Sequence, residues 1–133
     1  MTLLLDTNTC IRYLNGRSAN VVANMRATSH NDMVVCSIVK AELFAGSAKS
    51  QQPVKNLATQ QRFLNQFVSL PFDDAAADFY GVTRVALEKA GTPIGPNDLL
   101  IASIALANGV TLVTHNTREF SRIAGLSLVD WEV

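Results

Sequence analysis

The chain has 133 residues, with eleven basic and eleven acidic side chains that cancel to zero net charge, and 48 % hydrophobic residues against 17 % charged. It is long enough for one core and too apolar for a disordered segment, and its balanced charge excludes a global field for nucleic acid or anionic membrane while leaving room for a local cationic patch. No apolar run approaches the roughly 18 residues of a membrane span and no basic leader precedes the first strand, so a cytoplasmic protein with no membrane partner is expected.

The expected elements alternate from the first residues. Thr2–Leu5 is a strand whose three leucines read as buried on both faces. Thr7–Asn15 follows as a helix, with Cys10, Ile11 and Leu14 as its inner stripe and Asn15-Gly16 as its stop. A helix over Val21–Ala27, a strand over Met33–Cys36 and a helix over Ile38–Ser47 come next. Beyond the loop at Ser50–Pro53 lie a helix near Val54–Gln66, a strand over Phe67–Leu70, and helices over Ala75–Ala90 and Leu99–Ala107. Thr111–Val113 and Leu126–Val129 close the series as strands. Cys10 and Cys36 fall in apolar stretches without metal-ligand spacing and read as buried, reduced thiols. The pattern predicts a single α/β domain over residues 1–133, with a central, mainly parallel sheet of four to five strands covered on both faces. Ligands of such sheets bind beyond the carboxyl ends of the strands, which makes Asp6, Ser37 and Thr114 the positions to inspect.

Acidic residues cluster at those ends. Asp6 closes the first strand, where a helix cap would explain it, yet Thr7 and Asn8 are able to cap as well. Glu42 has Ile38, Val39, Ala45 and Gly46 three and four residues away, so its carboxylate shares a face with the core side of its helix and needs a partner from another segment. The alternative is an edge position from which Glu42 reaches a cross-segment arginine. Asp98 follows Gly95 and Pro96 in a first helical turn, where the helix dipole favours an acid, but the Leu99–Ala102 run behind it must press on the core. Asn116 and Glu119 follow the strand that ends at Thr114, and each has an ordinary reading as a turn or first-turn residue. Two carboxylates about 5 Å apart repel by roughly 3 kcal/mol at an effective dielectric of 20. A divalent cation would resolve that repulsion, and all-oxygen ligands favour Mg²⁺ or Mn²⁺.

The stretches LLLDTNTCI, SIVKAELFAGSAKS, GTPIGPNDLLIASIALANG and LVTHNTREFSRIAGLSLVDWE together resemble the motif blocks of PIN-domain ribonucleases, specifically the VapC toxins of VapBC toxin–antitoxin pairs. The resemblance runs from the first strand to Trp131. It implies a PIN-like α/β/α sandwich that cuts RNA with Mg²⁺ or Mn²⁺, with Asp6, Glu42 and Asp98 as the motif acids and Asp6 and Asp98 as the main metal ligands. The fourth catalytic position stays open between Asn116 and Glu119. The resemblance also implies a VapB-type antitoxin able to push a basic side chain into the acidic pocket, a homodimer, and larger toxin–antitoxin assemblies. Transfer RNA is the favoured substrate.

On this reading Glu42 orients or deprotonates the attacking water, and Asn116 hydrogen-bonds the phosphate or a water. Thr7, Asn8 and Thr114 are neutral candidates for substrate contact. Arg12 and Arg118, with Lys49, are candidates for RNA phosphates, while His115 reads as an exposed loop residue without a role. A phosphatase of the haloacid dehalogenase type also starts with Asp after a first strand, but it wants a second Asp where Asn8 stands. A domain that only binds a partner or RNA has no use for three intact acids. For antitoxin contact, Val21–Ala27, Ile38–Phe44 and then Leu57–Phe67 are the candidate surfaces.

Overall fold

The computed structural model describes residues 1–133. The first strand, β1 (Leu3–Leu5), leads through Asp6 into α1 (Thr7–Asn15) and α2 (Ala19–Ala27), then β2 (Met33–Cys36), α3 (Ser37–Lys49) and α4 (Pro53–Leu64). The second half runs β3 (Val68–Leu70), α5 (Asp74–Lys89), α6 (Pro96–Asn108), β4 (Thr111–Val113), α7 (Thr117–Phe120) and β5 (Leu128–Val129). The five strands pair in the order β3-β2-β1-β4-β5, every pair parallel. The sheet is therefore wholly parallel rather than mainly so, and the seven helices flank it.

Burial explains the leucine run. β1 is the central strand, and Leu4 and Leu5 are fully buried because side chains on both faces meet the core. Its neighbours contribute Val35, Leu112 and Val113, also fully buried. Asn15-Gly16 and Asn108-Gly109 stop α1 and α6 as expected; each glycine is left-handed, with φ of 68° and 62°.

The differences from expectation are local. α2 starts two residues early because Ser18 caps it, its hydroxyl accepting from the Val21 amide at 3.3 Å. α6 starts at Pro96, which suits the first helical position, so Asp98 sits inside the first turn. β5 shrinks to Leu128–Val129 because Gly125, at φ 81°, turns the chain just before it. A short 3₁₀ turn at His30–Asp32 has no apolar period and was not foreseen. Ile11 is the one misplaced core residue: it is 40 % exposed, while Cys10 beside it is fully buried. Both cysteines are buried and free.

Candidate active site

The strand order places the site. The chain builds β1, β2 and β3 outward on one side, then returns to add β4 and β5 on the other, so the winding reverses between β1 and β4. Crevices at such reversals, outside the carboxyl ends of the strands, are where open parallel sheets take ligands. Leu5 pairs with Val113, and the Asp6 amide donates to the Val113 carbonyl at 3.2 Å, so Asp6 and Thr114 emerge side by side at that crevice.

Asp6 is both a cap and a member of the acidic group. Its Oδ1 accepts the Thr9 amide at 2.8 Å, which fixes the start of α1 and the direction of the carboxylate. The side chain is buried, and burial pushes its pKa up; the Thr114 and Thr9 hydroxyls and the Thr9 amide oppose that shift, while the charge of Glu132 adds to it.

Glu42 finds its partners in other segments, as its surroundings demanded. The Thr7 hydroxyl donates to Oε1 at 2.6 Å across 35 residues, and the Asn97 amide donates to Oε2 at 3.3 Å. No arginine or lysine pairs with it; the edge position itself is real, since Glu42 is half-buried and Ala45 and Gly46 are exposed, leaving Val39 as the buried neighbour on that face. Thr7→Val is expected to lower kcat about tenfold, since a hydrogen bond to a charged group contributes roughly 1.5–3 kcal/mol. KM should move less, and single-turnover kinetics would check both.

Asp98 registers the gathering. Its pKa is pushed up to about 6, first by burial and then by the charges of Glu42, Glu119 and Asp6. Those three acids come from α3, α7 and the end of β1, so carboxylates far apart in sequence face one crevice. Asn116 and Glu119, left as alternatives for the fourth position, belong together: the Asn116 amide group donates to Glu119 Oε2 at 3.3 Å, and its backbone N–H donates to the Thr114 hydroxyl at 3.0 Å. Sequence reasoning did not single out Asn97, Asp130 or Glu132. An acidic residue or a polar amide without periodicity gives no sign of a partner tens of residues away.

The donor set fits a divalent cation. None of Asp6, Glu42, Asp98 or Glu119 pairs with a basic side chain; the ion pairs of the chain are Arg12–Glu132, Arg84–Glu88 and His115–Asp130. No three of the acids converge into a ready cage. Uncompensated carboxylate oxygens, without cysteine or histidine among them, suit a hard, oxygen-seeking ion.

Other chains carry the same arrangement of elements. The PIN domain family profile matches residues 3–126. A protein named tRNA(fMet)-specific endonuclease VapC, from Shigella flexneri, is 38 % identical over 131 residues, covering 98 % of each chain. The crystal structure of VapBC2 from Rickettsia felis, bound to a DNA fragment from its promoter, superposes with a TM-score of 0.91 at 38 % identity, over 98 % of this chain and 99 % of that one. DNA-bound VapBC from Salmonella typhimurium gives the same TM-score at 37 % identity, over 98 % of each chain. With the fold, the strand-end acids and full-length similarity in agreement, this chain belongs to the PIN domain family, in the company of the VapC ribonucleases.

Proposed function

We propose that this chain, acting over residues 1–133 as one PIN domain, is the cytoplasmic endoribonuclease toxin of a VapBC-type pair, with Mg²⁺ as its ion and Mn²⁺ as a substitute. Membership of the nuclease family carries the reaction class, hydrolysis of phosphodiester bonds. The observation that carries the site is Asp98, pushed up to about pKa 6 by burial and then by the charges of Glu42, Glu119 and Asp6, with no basic residue paired to any of them.

In this reading Asp6 and Asp98 would hold the ion, which would supply Lewis-acid polarisation of the scissile phosphate. Glu42, aimed by Thr7 and Asn97, accepts the proton of the attacking water. Asn116 fixes Glu119, which adds the fourth carboxylate. Exposed Asn8 and Arg118 stand as RNA contacts, whereas Thr114, expected beside them, is fully buried and its hydroxyl serves Asp6 and the Asn116 backbone N–H instead of a substrate.

Transfer RNA is the substrate class, supported by the name of the Shigella flexneri relative. The DNA-bound VapBC structures support an antitoxin partner; a toxin homodimer and larger toxin–antitoxin complexes belong to the same reading. A cavity of about 370 Å³ between α1, α3 and α4 suits an antitoxin segment: Ile11, Leu14 and Leu43 give it an apolar floor, and Glu42 lies on its wall. Ile11 on α1 thus joins the expected surfaces, whereas Val21 and Met25 of α2 are core. A peptide lying there reaches the acids, where an arginine would stand in for the cation.

The test is to incubate the purified chain with total RNA and with an initiator tRNA transcript, with Mg²⁺, with Mn²⁺ and with chelator, and to map the ends. Cuts at few sites that vanish with chelator and in Asp6→Asn support the reading. Identical cutting by Asp6→Asn overturns it.

A further inference from the structure

We propose that Arg12 and His115 form a two-cation rim that grips RNA backbone phosphates beside the acidic crevice, each cation held in place by a carboxylate of the C-terminal segment Asp130–Glu132. This rests on the ribonuclease reading and names substrate contacts of that same site.

The segment is pinned. Trp131 is buried, the Glu132 amide donates to Asp130 Oδ1 at 2.9 Å, and the Asn20 side chain donates to the Glu132 carbonyl at 3.4 Å. From this fixed strap, Glu132 Oε1 meets Arg12 Nε at 3.3 Å and Asp130 Oδ2 meets His115 Nδ1 at 2.9 Å. Exposure gives each pair a direction. The Arg12 and His115 side chains are 44 % and 56 % exposed, their carboxylates only 17 % and 14 %. Cations therefore face solvent and anions face the protein. Each cation spends one nitrogen on its anchor, leaving the Arg12 Nη groups and the His115 Nε2 for a ligand.

The rim lies at the crevice. His115 stands between Thr114 and Asn116, and Arg12 lies on α1, whose first turn Asp6 caps. The charge of Glu132 reaches both Asp6 and His115, and Arg12 in turn opposes the upward shift that Asp130 imposes on His115. Stability alone does not account for the arrangement, because exposed ion pairs contribute little. A crevice lined with acids repels a polyanion, however, and a chain of zero net charge has to supply local cations for it. His115, read from the sequence as an exposed loop residue, is exposed and makes the shorter of the two contacts with the strap.

The experiment uses the full chain and an initiator tRNA transcript. The double variant Arg12→Ala, His115→Ala should raise KM about tenfold more than it lowers kcat, as lost ground-state contacts do. Binding measured in Ca²⁺ should lose salt dependence, the slope of log K against log salt shrinking by about 0.7 for each cation removed. Arg12→Lys should recover most of the slope lost in Arg12→Ala. Unchanged KM and slope, with only a lower melting temperature, would mean a structural tie and overturn the rim. Since binding needs no cleavage, a wild-type chain that binds with the cation-dependent slope but cuts no RNA would sink the nuclease reading and leave the rim standing.

Discussion

Asp98→Asn is expected to cut RNA cleavage by about a thousandfold or more, the scale on which charge-stabilising groups act in active sites, and to make the metal-free protein harder to unfold. The two effects have one origin. Asparagine keeps the shape of the side chain and its place in the first turn of α6. It removes the charge that Glu42, Glu119 and Asp6 oppose. In chelator, relief of that repulsion should raise the melting temperature by a few degrees, against a small loss from the helix dipole of a few tenths of a kcal/mol. Opposite signs for activity and stability are what a site that burdens its own fold produces. Wild-type cleavage by the variant would remove Asp98 from the machinery. A lower melting temperature in chelator would show that the four acids do not burden the fold.

The parts of this site that sequence revealed and those it hid differ in kind. Asp6 was legible because a carboxylate interrupts an apolar strand at the position where parallel sheets bind ligands. Glu42 was legible because helical spacing gave it apolar neighbours on its own face, and the structure answers with Thr7 and Asn97 as its partners. The identity of those partners was not legible, since Thr7 lies 35 residues away and nothing periodic marks the pair. Asn116 and Glu119 looked like rivals when read one at a time, yet Asn116 at the N-cap of α7 and Glu119 in its first turn form a hydrogen-bonded couple. Ile11 misled for a related reason. Apolar spacing identifies a stripe on α1, but it does not distinguish packing against the sheet from lining an open groove. The C-terminal acids were the largest omission, because Asp130 and Glu132 follow a two-residue strand and show their purpose only when β5 docks against β4.

Metal-free protein is expected to melt lower at pH 8 than at pH 5, and a saturating divalent cation to raise the melting point strongly at pH 8 alone. Asp98 has a folded pKa of about 6 against an ordinary 3.8, so between those values the native state binds more protons than the unfolded state. Stability from this group therefore falls as pH rises through that window and stays lost above it. Asp6, shifted the same way by burial, adds to the fall. His115 has the same sign: its pKa is raised by Asp130, so its contribution is present below the ordinary value of 6.5 and disappears as pH passes the raised one. A cation at a hundred times its Kd contributes about 2.7 kcal/mol, or roughly 10 °C for a domain of this size. It binds the carboxylates only when they are ionised, so protons exclude it at pH 5. Thermal melts in chelator, Mg²⁺ and Mn²⁺ at both pH values would check the pattern. Asp98→Asn should reduce the metal-free pH dependence and weaken the cation's effect together, because this carboxylate contributes to both. Equal melting points with and without cation at pH 8 would mean that these acids hold no metal.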